Sequence, residues 1–366
     1  MRFVIYTNTD WEAPPRSRHQ LAYALAKKGF KTTFVAANAM GKPSLETIRV
    51  NENLEVILPK FPVSRRLRYR TPGLNEGYQL WLFPALRKRF DKDDTYVVCF
   101  DFGGYLVGKY FPNLIYYASD DYINNVKLPF FIKVYTTFTQ KRLVQTSKMS
   151  LATARKLVND FKEVNAKSFE LPLGAPDFNP GHDHAEILRE RDGKIKVVLL
   201  GFIDKVKTPV SLLRKILQIH NTELYLIGPV KDDILDDLQP AARVFRLGVQ
   251  TGEVLAKSLL AMDVGIAPYY MEDSNTGRTP NKMWQYLAAG KPVVVTDLPN
   301  IQHWEFPEGT VYKASEEDTF VQLVEKAYQE DSQALVAKRI ELAKSNSWTR
   351  RVDQLLEYVK VNMEEQ

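Results

Sequence analysis

Along the whole chain, short apolar runs rich in β-branched residues alternate with stretches whose apolar positions recur every three to four residues. RFVIYT (2–7), KTTFVAA (31–37), LEVILP (54–59), TYVVCF (95–100), LIYYAS (114–119) and RLVQTS (142–147) read as strands. Helical spacing covers 16–28, 76–90 and 129–141 between them. Such alternation predicts βαβ units and a parallel sheet covered on both faces.

The pattern pauses at ELPLGAPDFNPGHDHAE (170–186), where three prolines and two glycines leave no period. A second series then begins: IKVVLLGF (195–202), TELYLIGP (222–229), RVFRLG (243–248), DVGIAPY (263–269), KPVVVTD (291–297) and GTVYKA (309–314). The expected organisation is a domain over 1–172, a linker over 173–190, a second domain over 191–344 and a terminal helix over 345–366 that returns to the first domain. The expected fold class is α/β, with two doubly wound, Rossmann-like domains facing a cleft. Ligands of such sheets bind beyond the carboxyl ends of the strands.

Length supports this division, since 366 residues exceed one ordinary core. No apolar run approaches the ~20 residues that cross a bilayer, and MRFVIYTNTD reads as a first strand rather than a signal peptide. The single cysteine, Cys99, excludes an internal disulfide framework and fits a reducing cytoplasm. Net charge is +6, unevenly spread: between Lys60 and Lys92 nine Lys/Arg face two acids. That stretch is either a solvated surface or a patch for an anionic partner, a membrane surface among them. No nucleic-acid motif accompanies it, so nucleic acid is not an expected partner. His182 and His184 form H-x-H without a third ligand nearby, and no metal site is expected.

The densest chemistry lies in TGRTPNKMWQYLAAG (276–290). Thr279 is a good N-cap and Pro280 a good first helical residue, predicting a helix over 281–289. Its free N–H groups would face the preceding loop, a ready anion site. Lys282 runs against the helix dipole there, which makes sense if a bound anion covers it. Gly277 allows close backbone approach, and Arg278 adds a forked donor suited to phosphate. The bland alternative is an ordinary cap with incidental surface charge.

In DVGIAPYYMEDSNTGRTPNKMWQYLAAGKPVVVTDLPN (263–300) the chain resembles the nucleotide-sugar glycosyltransferases of the GT-B fold, family 4 or "group 1" type, with their teichuronic-acid-like relatives. WEAPPRSRHQLAYALAKKGF (11–30), YYASDDY (116–122), LVQTSKMSLATARKL (143–157), VVLLGFIDK (197–205) and LYLIGPV (224–230) agree in order. The resemblance implies a UDP- or GDP-sugar donor held by the second domain and a glycan or lipid-linked acceptor held by the first. It implies transfer with retention, without metal or cofactor. The diphosphate would rest on Gly201, Lys205, Gly277, Arg278, Thr279, Asn281 and Lys282, and the donor ribose on Gln285.

Two departures from the family's pattern follow. Its two glutamates, with seven residues between them, are replaced by Gly277 and Gln285. A glutamine can still bond ribose hydroxyls but supplies no carboxylate charge. Phe202 follows Gly201 where the family has arginine, leaving Lys205 or Lys207 as the cation, with Lys205 favoured by spacing. On the acceptor side, Asp101, Asp120 and Asp121 stand at strand ends and are candidates to deprotonate or orient a hydroxyl, or else simple helix caps. Asp10, Trp11, Arg16 and Arg18 follow the first strand and are expected to line the cleft. The expectation is a cytoplasmic glycosyltransferase of polysaccharide or glycolipid assembly, peripheral at the inner membrane face through 60–92. A sugar-nucleotide epimerase of the same shape and a non-catalytic sugar-nucleotide or glycan binder remain as alternatives.

Overall fold

The computed structural model describes residues 1–123, 129–176, 193–272, 275 and 278–363. The chain divides into two units, Met1–Leu173 with Trp348–Gln366 and Gly174–Ser347. Most of 173–190, the H-x-H pair and Gly277 lie outside the described residues.

The first unit holds strands β1 (Arg2–Tyr6), β2 (Lys31–Val35), β3 (Ala39–Met40), β4 (Ser44–Arg49), β5 (Leu54–Phe61), β6 (Thr95–Cys99), β7 (Leu114–Ala118), β8 (Met149–Ala152) and β9 (Ser168–Glu170). Its helices are α1 (Ser17–Lys27), α2 (Arg65–Arg68), α3 (Leu74–Arg87), α4 (Phe130–Thr146) and α5 (Arg155–Lys162). The sheet runs β3-β5-β2-β1-β6-β7-β8-β9 in parallel, with β4 antiparallel on β5. Strand order reverses between β1 and β6, the place where doubly wound sheets open a crevice.

Period two in β1 explains the two cores of this unit. Phe3 and Ile5 face Leu21 and Leu25 of α1, while Val4 and Tyr6 face Tyr78, Leu82 and Phe83 of α3. The first core is completed by Trp348, Val352, Leu355 and Val359. They lie one helical turn apart on α12 (Trp348–Met363), the terminal helix, which belongs to this unit. Each such fully buried side chain contributes about 1.5–3 kcal/mol relative to exposure.

The sequence pattern misplaces one strand. Residues 142–146 are the end of α4, Ser147 is its extended C-cap, and the strand is β8, beginning at Met149. Leu143 and Val144 extend the buried series Thr136, Thr139 and Gln140, so the apolar run is one helical stripe rather than a strand. Strand β4 gives no apolar alternation because nearly all its residues are exposed at the sheet edge.

In the second unit the strands are β10 (Ile195–Leu200), β11 (Thr222–Ile227), β12 (Val244–Gly248), β13 (Val264–Ala267), β14 (Val293–Thr296) and β15 (Val311–Ala314). Helices α6 (Val210–Gln218), α7 (Asp232–Leu235), α8 (Gly252–Leu260), α9 (Lys282–Ala288), α10 (Glu317–Gln329) and α11 (Gln333–Ser345) accompany them. The order β12-β11-β10-β13-β14-β15, all parallel, again reverses beside the first strand. Val197 and Leu199 pack under α6 and α10, and Val198 and Leu200 under α8 and α9.

Candidate functional site

Beyond the carboxyl ends of β10 and β13, at the reversal of the second sheet, one side chain stands out. Lys282, the first residue of α9, brings its Nζ to 3.6 Å from where a Cβ on Gly201 would lie. It also sits 5.4 Å from the ring centre of Tyr269, the residue two beyond β13. Arg278 approaches the same ring, with its Cζ at 5.7 Å. Gly201 follows β10 directly and has φ of +125°, a conformation glycine adopts without strain. Its carbonyl lies where a Cβ on Gly228 would fall, so the loops after β10 and β11 meet backbone to backbone.

Helix α9 is held at that crevice by Tyr286. Its hydroxyl accepts from Leu200 N at 2.8 Å and donates to Ile266 O at 3.1 Å, tying α9 to both flanking strands. The ring occupies the space beside Gly265, where any Cβ would lie within 2.3 Å of it. Strands β10, β13 and the helix thus form one rigid cradle, and Lys282 stands on its rim.

Electrostatics set this cradle apart. Lys282 is half-buried and forms no ion pair or hydrogen bond with the described residues. Burial first, and Arg278's like charge second, push its pKa from 10.5 down to about 7. One turn on, Gln285 Oε1 is buried and has no hydrogen-bond partner among the described residues. A cation without counter-charge and an acceptor without donor, three residues apart on one helix face, are an arrangement that a ligand bearing an anion and hydroxyls would complete.

The other predicted diphosphate residues fall into two sets. Asn281 directly precedes α9, and the turn opens with Met283 N donating to Pro280 O and Trp284 N to Asn281 O. The helix therefore starts at Lys282 rather than 281, and Thr279 is not its cap: the Thr279 hydroxyl accepts from Asn300 Nδ2. Lys205 does not join the cluster. Its Nζ pairs with Asp237 at 2.6 Å, a carboxylate shared with Arg214. Lys207 lies over the Phe202 ring at 5.4 Å. Phe202, standing where arginine was expected, is exposed.

In the first unit Asp101 stands at the equivalent reversal between β1 and β6, while Asp120 and Asp121 follow the next strand, β7. Asp101 follows β6 closely and is only 1% exposed. Its Oδ1 accepts from Gly103 N at 2.9 Å and its Oδ2 from the Tyr69 hydroxyl, so both oxygens are engaged in closing the 101–104 turn. That engagement fits an anchor of the turn better than a base facing substrate. Asp121 is buried and accepts from Ile123 N, while the half-buried Asp120 accepts from Asp121 N at 3.0 Å.

Trp11 is less a cleft residue than a lid on the first core, with Phe34, His19 and Tyr23 rings 5.0 to 5.6 Å away. Asp10 is exposed and lies 3.5 Å from Arg65; Arg16 is exposed at the start of α1. Sequence reasoning missed His19, whose Nδ1 accepts from Arg16 N at 3.1 Å and whose Nε2 faces Asp10 O at 3.3 Å. Those partners fix the neutral tautomer protonated on Nε2, and burial lowers its pKa. Of the basic stretch 60–92, Arg68 is internal: it donates to Asn38 and Asn75 and lies 3.7 Å from the Tyr78 ring. Lys60 and Arg65 pair with Glu46 and Asp10, leaving Arg66, Arg70, Lys88, Arg89 and Lys92 as its other exposed cations.

The chain is similar to known proteins in sequence and in fold. The sequence model of the family Glycosyl transferases group 1 matches residues 188–330, the segment that carries the Lys282 cradle. A Bacillus subtilis (strain 168) protein assigned to teichuronic acid biosynthesis as glycosyltransferase TuaH is 27% identical over 185 residues. That match spans 48% of this chain and 45% of the relative's own length. Sucrose-phosphate synthase from Thermosynechococcus elongatus superposes over 100% of both chains with a TM-score of 0.74 at 15% identity. WaaG, a glycosyltransferase involved in lipopolysaccharide biosynthesis, superposes over 96% of this chain and 98% of its own, with a TM-score of 0.64 at 16% identity. At such identities the structural likeness is one of fold. Residues 188–330 are thus similar to the glycosyl transferases group 1 family, and the chain shares the GT-B fold of sucrose-phosphate synthase and WaaG.

Proposed function

We propose that the protein transfers a sugar from a UDP- or GDP-sugar to a hydroxyl of a glycan or lipid-linked acceptor in polysaccharide or glycolipid assembly. The observation that carries this reading is the half-buried Lys282 beside Gly201, without counter-charge among the described residues. As the bond from the anomeric carbon to the donor's diphosphate breaks, negative charge grows on the leaving group. Lys282 and Arg278 are placed to hold that charge, and fixed cations in a partly dry site stabilise it more than water does. Gln285 takes a ribose hydroxyl, its orphaned Oε1 accepting the hydroxyl proton. Lys205, paired with Asp237, has no part in this scheme. The charge is met by side chains, so the reading calls for neither metal nor cofactor; retention rests on the resemblance alone.

The first unit takes the acceptor in this reading. Asp120, half-buried beside the crevice, is better placed than Asp101 to receive the proton of the attacking hydroxyl. A cytoplasmic, membrane-peripheral setting would use the exposed cations of 60–92 on anionic lipid, with Arg68 excluded from that patch. Among the described residues no helix is long and apolar enough to cross a membrane.

Gln285 in place of an acid and Lys205 in an ion pair favour a second reading, a protein that binds the sugar nucleotide without transfer. A panel of UDP- and GDP-hexoses, assayed for nucleotide release with and without glycan acceptors, separates the readings. Acceptor-dependent release supports transfer. Isomerised sugar would mark an epimerase, and tight binding with no turnover a binder.

A further inference from the structure

Three arginines are less than a tenth exposed among the described residues: Arg18 at 7%, Arg68 at 1% and Arg339 at 0%. Two of them are compensated by hydrogen bonds. Arg68 donates through Nε, Nη1 and Nη2 to Asn38 and Asn75. Arg339 donates to Asp331, Gly290 O and Gly309 O. Arg18 donates to no described residue, and its Nε is buried without a partner. Its Cζ lies 5.7 Å from the centre of the Phe100 ring.

A guanidinium cannot shed its proton in a protein, so a mostly buried charge is held here without a hydrogen-bond acceptor among the described residues. Burial lowers its pKa, and the groups facing it are Tyr122, Arg16, Asp101 and Asp120. Tyr122 is neutral near neutrality, since burial raises its own pKa. Arg16's like charge acts on Arg18 more strongly than either aspartate does. Asp101 is already committed to Tyr69 and Gly103. Arg18 is also the second residue of α1, an eleven-residue helix whose first N–H groups have no intrahelical acceptor. The place lies at the strand reversal of the first sheet, beside Phe100 and the 101–104 turn.

We propose that Arg18 and the start of α1 receive an oxyanion, a phosphate or carboxylate borne by the acceptor, so that the first unit selects an anionic rather than a neutral acceptor. The site itself stands on Arg18's burial without a partner; only the word acceptor rests on the functional reading above. A forked guanidinium matches two oxygens of such a group, and helix N–H donors add to it.

The test is calorimetric titration and thermal melting of the full chain with glucose 6-phosphate, glucuronate, inorganic phosphate and neutral glucose, for wild type, Arg18→Met and Arg18→Lys. The proposal expects a charged sugar to bind at least tenfold more tightly than glucose, Arg18→Met to lose that advantage, and Arg18→Lys to fall between. It also expects ligand-free Arg18→Met to melt no lower than wild type, because an unpartnered charge has been removed. Indifference of wild type to all the anions, or undiminished anion binding by Arg18→Met, overturns it. So does a lowered melting point of Arg18→Met with binding unchanged, which would mark a structural arginine. Inorganic phosphate binding as tightly as the sugar phosphate overturns the acceptor assignment in favour of a free ion. UDP and GDP binding, measured on the same samples, is expected to be equal in wild type and Arg18→Met. Its loss from both would sink the transferase reading and leave the anion result standing.

Discussion

Lys282 and His19 are two basic groups that folding disfavours in their protonated forms, with opposite consequences. At His19, burial holds the folded pKa below the ordinary 6.5. The unfolded chain therefore binds the proton more readily. The contribution of the neutral ring to stability is complete above about 6.5 and is lost as pH falls through that value toward the folded one. Urea titrations from pH 5 to 8 are expected to show this slope, and His19→Gln, which keeps an acceptor for Arg16 N without titrating, is expected to flatten it. An unchanged slope in the variant would assign it elsewhere. Lys282 differs in being half-buried on the rim of a crevice, where a ligand can supply the missing charge. Gln285 belongs to the same face. Removing its side chain, as Gln285→Ala, should weaken UDP or GDP binding about tenfold, the worth of one hydrogen bond to an otherwise unsatisfied group. Affinity unchanged within twofold would place the ribose somewhere else.

Between elements, the decisive contact is Tyr286 against β10 and β13. Tyr286→Phe keeps the ring beside Gly265 but leaves Leu200 N buried without an acceptor, which should cost about 1–3 kcal/mol in denaturant unfolding. A loss well below 1 kcal/mol would mean that the hydroxyl does not tie the helix to the strands. The same elements differ in how plainly the residue pattern announces them. The strands of both sheets are legible because parallel, two-faced burial leaves uninterrupted apolar runs, as in β7 and β10. The end of α4 is not, since Leu143 and Val144 look alike as strand or helical stripe until the buried residues before them are known. The cluster around Lys282 is legible from an ill-matched charge at a helix start. Pairing is what the pattern does not carry: that Lys205 is taken by Asp237, that Arg68 lies inside while its basic neighbours do not, and that His19 closes the start of α1. Each depends on residues brought together from distant points of the chain, or on a ring doing what a carboxylate usually does in a capping box.

For the whole molecule, two sheets that both reverse beside their first strand each carry a cation that the fold buries in part without a bonded partner among the described residues: Arg18 in the first and Lys282 in the second. The central claim is that the second of these is the seat of a nucleotide diphosphate. Its most direct test is calorimetric titration of UDP and GDP into wild type and Lys282→Ala at pH 8, in two buffers of different ionisation enthalpy. With a folded pKa of about 7, Lys282 is largely neutral at that pH and must take up a proton when the diphosphate arrives. The account predicts binding by wild type with net proton uptake, and binding at least tenfold weaker, without that uptake, in Lys282→Ala. Equal affinity and equal proton exchange in the two proteins would contradict it.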